Sequence, residues 1–373
     1  MNDIKKRIRD IMGAVFKIDP TEIEEDAGAG VIEKWDSLGH MILVLALEEE
    51  FNIRFPDEMI EKLLSLKSIE LILKESLSPK FLGRVMNSVV GRLTEQDFRV
   101  ALESVIRPED EVLVFFSAIY TFGHLFAWPP KEIPDRLLDI MIHVAGSNRT
   151  LILPAYTLSF PRTRVFDLVR TKSDTGILSD RAILRRSMRR LPKPMNSYMV
   201  IGPRADEFLA LPCSTAWGTN GAFGWMTRVD AKICMLGVPW GEACSLYHYA
   251  EELEQVPYRY YKRFSGDMFE DGVPIGPCEE VMFVRSATIP PVWNHAKVYP
   301  QLRAAGVVIT SENPVIPLEA VKASKIVEVT RNMLKMDPYA YVANVEQVRA
   351  WVKHDASEEV ERLTPGERFT SQS

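Results

Sequence analysis

The sequence predicts two folded parts, a small all-α bundle of four helices followed by a larger α/β layered domain. Residues 1–78 carry apolar side chains at helical spacing, whereas strand and helix patterns alternate from about residue 94 onward. The charge changes at the same place. Residues 1–80 hold 11 Lys and Arg against 17 Asp and Glu, a net charge of −6. The whole chain of 373 residues holds 45 against 51, so the residues beyond 80 sum to zero.

The composition is typical of a soluble globular protein, with 46% hydrophobic and 26% charged residues. No apolar stretch reaches the length of a membrane span, and no apolar signal core follows the first residues. The four cysteines show no metal-like spacing, which favours a reduced, cytoplasmic protein. The acidic total argues against a nucleic-acid binder. We therefore expect a cytoplasmic protein with neither membrane nor nucleic acid as a partner.

The spacing of apolar residues predicts four helices in the first part, with a long polar loop between the first two. A bundle of about eighty residues is large enough to fold alone. The expected helices cover residues 2–16, 37–51, 57–66 and 68–77, with Pro56 at the start of the third. Residues 79–93 then form a linker with a short amphipathic stretch at 85–90, because Pro79 ends the fourth helix.

Ser37 stands where the polar loop meets a strongly apolar helix. A serine at this place is commonly the helix N-cap. The surrounding segments indicate more than a cap. Asp36-Ser37-Leu38, the helix end Leu47–Phe51 and Pro56-Asp57-Glu58 together resemble the acyl carrier protein family, and the resemblance covers residues 1–78.

This resemblance implies that Ser37 carries 4′-phosphopantetheine. A phosphodiester at a helix N-terminus would face free N–H groups and the positive end of the helix dipole. The resemblance also implies two partners, a phosphopantetheinyl transferase and an enzyme that loads the acyl group. Gly39 and Ile42 stand where family members often have acidic residues. Their presence suits a carrier with one dedicated partner, with drift on a surface helix as the alternative.

The residues from 94 to 373 are expected to form the α/β layered domain. Strands are predicted at residues 112–116, 151–153 and 233–238, and helices at residues 133–145, 177–190 and 246–255. Several segments resemble, in order and spacing, the aminoglycoside 3-N-acetyltransferase family over nearly all of residues 94–340. They are Ser117 with Thr121-Phe122-Gly123, Leu153–Thr157, Phe166-Asp167, Thr171–Leu178, Ile201–Ala205, Leu236–Val238, Ser245–Glu251 and Val256–Arg259.

The resemblance implies roles for several of these residues. It implies contacts with the cofactor arm for Ser117, Thr157 and Ser173. It implies contacts with the acceptor for Asp167, Lys193 and Tyr258. Two departures bear on the acceptor: Phe116 replaces a family histidine, and the segment Lys193–Ser197 replaces a His-Pro-x-x-x-Ser stretch.

His248 and Glu251 are the residues on which the chemistry is expected to rest. At positions i and i+3 of a helix they share one face. The carboxylate can hold the imidazole in one tautomer, and the imidazole can take a proton from an attacking amine. A surface His–Glu pair is the common alternative, but the family's His-x-x-Glu motif falls on these residues. Ser245, one turn earlier, is a candidate oxyanion donor or a simple helix cap.

The remaining patterns, of glycine, charged residues, cysteine and histidine, do not indicate a specific function. Gly218, Gly221 and Gly224 indicate a turn near the site, and Glu252 and Glu254 are expected to be solvated. The residues Arg185, Arg186, Arg189 and Arg190 cluster on a predicted helix, where they could meet the acidic carrier, meet a phosphate or simply face solvent. Cys244 is an unlikely nucleophile, because a thioester donor needs no covalent relay. The remaining histidines are scattered, so no metal site is expected.

The sequence therefore leaves three functions to compare. The first is an N-acyltransferase that takes its acyl group from its own carrier and acylates a small-molecule primary amine, expected on a nucleotide-linked amino sugar. The second uses free acetyl-CoA or another acyl-CoA, and its carrier serves another enzyme. The third is a docking scaffold without catalysis, against which His248 and Glu251 argue. The acyl chain and the oligomeric state stay open.

Overall fold

The computed structural model describes residues 2–25, 27–29, 31–32, 34–35, 37–51, 55, 57–60, 62–76, 93–285 and 291–354. Asp36, Pro56 and residues 79–92 of the expected linker lie outside the described residues. The chain divides into two compact units. The first comprises Met1–Val100, Ala118–Ile140 and Gly176–Leu178, and the second comprises Ala101–Ser117, Met141–Thr175 and Ser179–Ser373.

The N-terminal part of the first unit is helical, as the spacing predicts. Its helices are α1 (Asn2–Phe16), α2 (Ser37–Phe51), α3 (Asp57–Ile60) and α4 (Leu66–Ser76), with a 3-10 turn at Pro20–Glu22. Helix α2 begins at Ser37, where the loop-to-helix boundary was expected. Helix α3 is shorter than predicted. It ends at Ile60, and Leu63 and Leu66 are buried beyond its end, with Leu66 at the start of α4.

The core of this helical part closes around the start of α2. The rings of Phe16 and Trp35 stack with their centroids 5.0 Å apart. Gly39 packs so closely that a Cβ atom would lie 2.3 Å from the carbonyl oxygen of Lys34. The absence of a side chain at Gly39 therefore has a steric cause, which the sequence pattern did not indicate.

The second unit is built on a mixed seven-stranded sheet. Strands β1 (Val112–Ser117), β2 (Thr150–Pro154) and β6 (Lys232–Leu236) run parallel at its centre, and the predicted strands coincide with them. The outer strands pair antiparallel, so the order is β4-β5-β2-β1-β6-β10-β9. These outer strands are β4 (Arg189–Arg190), β5 (Tyr198–Ile201), β9 (Ile309–Thr310) and β10 (Leu318–Lys322).

A second, three-stranded sheet contains a long hairpin. Strand β3 (Val165–Asp167) runs parallel to β7 (Arg259–Glu270), which pairs antiparallel with β8 (Val273–Arg285). Asp271 and Gly272 join the two long strands, both with positive φ, at 49° and 82°. An Asp-Gly pair favours this turn because both central residues must adopt the left-handed conformation.

The remaining helices lie between and after these strands. They are α5 (Glu95–Val105), α6 (Ile133–Ala145), α7 (Phe160–Thr163), α8 (Ile177–Ile183), α9 (Ala205–Leu209), α10 (Ala222–Arg228), α11 (Trp240–Ala243), α12 (Leu246–Leu253), α13 (Val298–Ala304), α14 (Ala323–Met336) and α15 (Val345–His354), with 3-10 turns at Ile119–Thr121, Gly123–Leu125 and His295–Lys297. Among the described residues, no helix is both long and apolar enough to cross a membrane.

One predicted helix is wrong in its second half. The helix expected over residues 177–190 ends at Ile183, and Arg189 and Arg190 form β4 at the edge of the large sheet. Arg190 is buried, whereas Arg189 is exposed and pairs with Asp206. The alternation of a strand thus places Arg189 and Arg190 on opposite faces, so the four arginines do not share one helix face as predicted.

Candidate active site

Helix α12 carries the histidine and the carboxylate on which the sequence motif centres. The helix follows β6 and the short helix α11, and its apolar residues bind it to the core, since Leu246, Tyr247 and Ala250 are fully buried. Burial of this face fixes where the remaining residues point. His248 is the half-buried residue of the pair, with 21% of its side chain exposed, while the side chain of Glu251 has no exposed surface.

Glu251 lies at the centre of a hydrogen-bonded group. Its Oε2 is 2.7 Å from Nδ1 of His248, as the i, i+3 spacing predicts. The same oxygen is 2.8 Å from Nη2 of Arg259. The other oxygen, Oε1, accepts a hydrogen bond of 2.8 Å from the hydroxyl of Tyr258. The carboxylate is therefore held by three side chains, two of them from the segment just after α12.

The Glu251 carboxyl is ionised in spite of its burial. Burial alone would raise its pKa, but the Arg259 guanidinium and the hydrogen bond to His248 outweigh burial and lower the pKa to about 2. A buried carboxylate that stays charged needs such a partner, because an unpaired charge in this setting would cost several kcal/mol. Arg259 is thus the residue that keeps the carboxylate available to orient the imidazole.

The surroundings of His248 define its tautomer. Nη2 of Arg259 lies 2.8 Å from Nδ1 as well as from Oε2 of Glu251. An ionised carboxylate can only accept, so Nδ1–H and the guanidinium both donate to Oε2. The ring proton is then on Nδ1 and the lone pair on Nε2. Within the described part of the chain, Nε2 makes no hydrogen bond.

The pKa of His248 lies below its ordinary value. Burial is the largest cause and the Arg259 cation adds to it, while Glu251 acts in the opposite direction. A histidine with a lowered pKa is neutral at neutral pH, which is the form that can accept a proton. The geometry and the charge state together make His248 a base whose accepting atom is Nε2.

Three aromatic rings from two other segments lie around the imidazole of His248. The ring centroids of Trp217, Trp293 and His295 lie 4.9, 5.8 and 5.5 Å from its own. The Arg259 guanidinium lies over the Trp293 ring at 4.8 Å. His295 is itself buried, and burial followed by the proximity of His248 lowers its pKa to about 3. These rings reduce the access of water to the pair, in which the side chain of Glu251 has no exposed surface and that of His248 has 21%.

His295 corrects the expectation that the remaining histidines are scattered. One ligand atom each from His248, Glu251 and His295 lies within 4.8 Å of the others, a spacing that a metal ion could bridge. The permanent charge of Arg259, in contact with two of the three residues, opposes a second cation there. The donor set therefore fits an acid–base pair better than a metal centre.

Ser245 stands at the N-cap position of α12 without capping it. Its hydroxyl lies 3.5 Å from the carbonyl oxygen of Ala243 and hydrogen-bonds with Tyr156, whose hydroxyl is also 2.7 Å from that of Tyr198. Cys244 beside it is buried, and burial raises the pKa of its thiol to about 12. A thiol with this pKa is protonated, so Cys244 does not supply a nucleophile.

The three residues with an implied role at the cofactor arm take different positions. Ser117 ends β1 and is half-buried. Thr157 is buried and its Oγ1 accepts a bond of 3.2 Å from Arg190. Ser173 hydrogen-bonds to Thr175 and, through its backbone N–H, to Asp180. The structure supplies local partners for Thr157 and Ser173, and their role at a cofactor stays a prediction.

Arg190 accounts for the fixed position of Thr157. Besides that threonine, its guanidinium donates to the carbonyl oxygens of Ala155 and Thr171, at 2.8 and 2.6 Å, and to the hydroxyl of Ser197, at 3.1 Å. Burial lowers the pKa of Arg190 to about 10, which still leaves it charged. Its donors are committed to the fold, so Arg190 is not available to an acidic carrier or a phosphate.

The residues with an implied role at the acceptor also have partners of their own. Asp167 accepts hydrogen bonds from four backbone N–H groups. Two belong to the chain after β3, at Val169 and Arg170, and two to the hairpin turn, at Asp271 and Gly272. These bonds outweigh burial and lower its pKa. They join the chain after β3 to the hairpin turn. Tyr258 is fully buried and bound to Glu251, so it supports the carboxylate rather than facing solvent. Lys193 is half-buried.

Glu252 and Glu254 depart from the solvated state expected for them. Glu252 is buried and accepts a bond of 2.6 Å from Thr215, and Glu254 is half-buried against Arg331. Of the three glycines expected in a turn, Gly218 and Gly221 lie in a loop, whereas Gly224 lies within α10. Trp217, just before Gly218, contacts His248. Helix α12 is buried on more than one face, a condition that helical periodicity alone does not reveal.

Three residues of this site, and Glu280 elsewhere in the same unit, had no role predicted from the sequence. Arg259 belongs to a segment of the family resemblance but was given no function. Trp217 and His295 had no distinguishing signal. Glu280, on β8, is buried, and Met195 N–H donates to it at 2.5 Å. Burial raises the pKa of Glu280 to about 7, with Met195 and Lys193 opposing the rise.

Comparisons with known proteins identify two different families in this chain. The family described as aminoglycoside 3-N-acetyltransferase matches residues 129–335. A stretch of 68 residues in the N-terminal region is 31% identical to the acyl carrier protein of Thermosynechococcus vestitus (strain NIES-2133 / IAM M-273 / BP-1). That stretch covers 18% of this chain and 84% of the carrier protein.

Solved structures share the fold of the larger part. The apoenzyme of aminoglycoside acetyltransferase AAC(3)-IVa matches with a TM-score of 0.54 at 16% identity, over 69% of this chain and 97% of that one. AAC-IIIb, in its binary complex with CoASH, gives 0.55 at 19% identity, over 65% and 97%. The YokD protein from Bacillus subtilis gives 0.54 at 12% identity, over 66% and 94%. At these identities the likeness is one of fold.

Proposed function

Because the chain belongs to the aminoglycoside 3-N-acetyltransferase family, and its N-terminal region to the acyl carrier protein family, we propose that this N-acyltransferase carries its own donor. The acyl group is held as a phosphopantetheine thioester on Ser37 and is transferred to a primary amine. The observation that carries the proposal is the pairing of His248 with a buried, ionised Glu251 on the same chain as a carrier module.

The reaction needs a base whose ring nitrogen has an available lone pair and is largely shielded from water. The amine nitrogen attacks the thioester carbonyl carbon, and its proton passes to Nε2 of His248. The tetrahedral intermediate then breaks its C–S bond, and the same proton passes to the departing thiolate. The products are the amide and the free pantetheine thiol on Ser37. Glu251 stabilises the imidazolium that forms between the two steps, as orienting carboxylates do in related acid–base pairs.

Ser245 is the proposed donor to the oxyanion of that intermediate. It stands one turn before His248 at the start of α12, on the positive end of the helix. Its hydroxyl already interacts with Tyr156, so the tyrosine fixes the position of the serine before the substrate arrives. A donor that is oriented in advance loses little entropy during the reaction.

We propose an amino sugar as the acceptor. A sugar amine has a neutral fraction at neutral pH, and this neutral form is the nucleophile. As its nitrogen attacks, the amine loses one proton, which the base takes. Arg190, one of the four arginines that could have met a phosphate, is buried in β4 and committed to the fold. The proposal that the amino sugar is attached to a nucleotide therefore depends on Lys193. The test includes both free and nucleotide-linked amino sugars.

The second candidate function uses a free acyl-CoA as donor. One structural neighbour was solved with CoASH, which is the observation that favours this candidate. The two donors share the pantetheine arm and differ in its anchor, Ser37 in one case and a soluble nucleotide in the other. Both reactions would use the same His248–Glu251 pair.

The deciding experiment follows the acyl group on Ser37 by intact-protein mass. The chain is loaded with acyl-phosphopantetheine by a phosphopantetheinyl transferase and then mixed with amino sugars, nucleotide-linked amino sugars, amino acids and aminoglycosides. We expect loss of the acyl mass and appearance of an amide with an amino sugar. Acylation of an aminoglycoside from acetyl-CoA, with Ser37→Ala as active as the unmodified sequence, would establish the second candidate instead.

A further inference from the structure

Within the first unit, Tyr120 packs against the core of the carrier module. It lies in the 3-10 turn Ile119–Thr121, which follows β1, and it is half-buried. Its ring meets that of His40 edge to face, with the centroids 5.5 Å apart and the planes at 89°. His40 belongs to α2, and α2 also packs against the following turn, Gly123–Leu125.

The ring of His40 is held in a fixed orientation. Nδ1 accepts a hydrogen bond of 3.0 Å from Nε1 of Trp35, and Nε2 donates to the carbonyl oxygen of Ile60 at 3.2 Å. Burial lowers the pKa of His40, so the neutral ring that this arrangement requires is the stable form. Tyr120 therefore packs on a ring that is positioned by residues before α2 and at the end of α3.

The character of this contact is aromatic rather than ionic. Gly39, where carrier proteins often have an acid, has no room for a side chain, because Lys34 and Phe16 lie against it. His40 follows Ser37 by three residues on α2, a rise of about 4.5 Å along the helix. Tyr120 follows Ser117 by three residues in the sequence.

We propose that Tyr120 is the docking residue by which the enzyme selects its own carrier, through the His40 face of α2. The inference rests on the proposed function and deepens it. Tethering already raises the local concentration of the carrier, to the millimolar range for a short linker. The aromatic contact adds orientation, because it fixes α2 relative to the turn Ile119–Thr121. Tyr120 is a positioning residue and takes no part in bond making.

The test compares two donors in the full-length chain. One donor is the acyl-phosphopantetheine on Ser37, and the other is the acyl thioester of N-acetylcysteamine, which resembles the end of the arm and needs no carrier. Tyr120→Ala should slow transfer from Ser37 by about tenfold, a loss of the size that an aromatic contact supplies. It should leave the rate with the soluble thioester unchanged. Tyr120→Phe keeps the ring and should behave as the unmodified chain.

A second measurement detects the contact between Tyr120 and α2 without requiring acyl transfer. Hydrogen exchange of the full chain should become faster in Tyr120→Ala at two places, α2 and residues 118–126, with the peptides of β1 and β6 unchanged. Tyr120→Phe is the matched control. Faster exchange in α2 requires that Tyr120 stabilises it from outside its own segment, which a purely local role would not do.

Several results would overturn the docking role. Equal transfer from Ser37 by Tyr120→Ala and the unmodified chain is one. An equal loss with both donors is another, because it would place Tyr120 in the chemistry. Unchanged exchange in α2 is a third. If the unmodified chain transfers nothing from Ser37, the proposed function fails, and the exchange measurement then decides the contact by itself.

Discussion

His40 and His248 show how the same side chain takes two roles in one molecule. Each lies on a helix, and burial lowers the pKa of each. In the carrier module, both ring nitrogens of His40 are committed, one to Trp35 and one to Ile60. In the larger part, His248 commits only Nδ1, to Glu251, within the described residues. A histidine with two fixed partners connects helices, whereas one with a single fixed partner can move a proton.

The difference is visible in the partners as much as in the ring. The partners of His40 are neutral groups, an indole and a backbone carbonyl, and the gain of a charged ring from the Ile60 carbonyl is smaller than the cost of burial. The partner of His248 is an ionised carboxylate that stabilises the imidazolium once it forms. Arg259 opposes this effect and keeps the resting ring neutral. His248 thus combines a neutral resting state with a means of holding the transferred proton.

The largest expected effect comes from removing the attachment residue of the carrier. Ser37→Ala should abolish the phosphopantetheine mass addition completely, because no other residue is expected to take the group. Intact mass after co-expression with a phosphopantetheinyl transferase measures it, and circular dichroism should show an unchanged helix content. A mass shift that persists in Ser37→Ala would place the arm elsewhere.

The next largest effect is expected from removing the proposed base, His248. His248→Ala should lower transfer from loaded Ser37 to an amine by about a hundredfold or more, the usual contribution of a positioned base. Loading of Ser37 should be unaffected, because loading does not use this site. Single-turnover kinetics on pre-loaded protein measure the step directly. Transfer at a near-normal rate would show that another group acts as the base.

A smaller effect is expected from neutralising the partner of His248. Glu251→Gln should slow transfer by about tenfold or more, a part of the contribution of the base itself. Since Glu251 raises the pKa of His248, its removal lowers that pKa further. Transfer needs the neutral ring, so the acid limb of the pH–rate profile should move to lower pH. A shift to higher pH would contradict the assigned charge state.

The carrier should respond to acid through His40. Its pKa is lowered from the ordinary value of 6.5, so the unfolded chain binds a proton more readily than the folded one. Stability is therefore complete above about pH 6.5 and falls as the pH drops below it. Calorimetry should show the carrier transition falling by several degrees between about pH 7 and about pH 5. His40→Gln, which has an acceptor and a donor but does not titrate, should lose less.

The smallest effect concerns Cys244, the neighbour of Ser245. Its buried thiol has a pKa of about 12, so it is protonated and unreactive at neutral pH. Cys244→Ala should transfer the acyl group within a few fold of the unmodified rate, and iodoacetamide should not label the folded protein at this residue. Loss of transfer as large as that of His248→Ala would return Cys244 to the list of candidate nucleophiles.

Local spacing in the sequence determined the parts of the site that one helix can hold. The hydrogen bond between His248 and Glu251 follows from positions three apart, because helix geometry places them on one face whatever packs around them. The start of α2 at Ser37 and the central strands β1, β2 and β6 follow from equally local patterns. In each case the signal and the structure span the same few residues.

Only the tertiary structure decided the surroundings of that pair. Trp217, Arg259 and His295 reach His248 from three separate segments, and their distances to it depend on how those segments pack. Packing also decided that, of the predicted arginine cluster, Arg190 is buried and Arg189 is exposed in β4. Secondary-structure periods reach over a few residues, whereas burial, charge state and the convergence of distant side chains are fixed when the whole core closes.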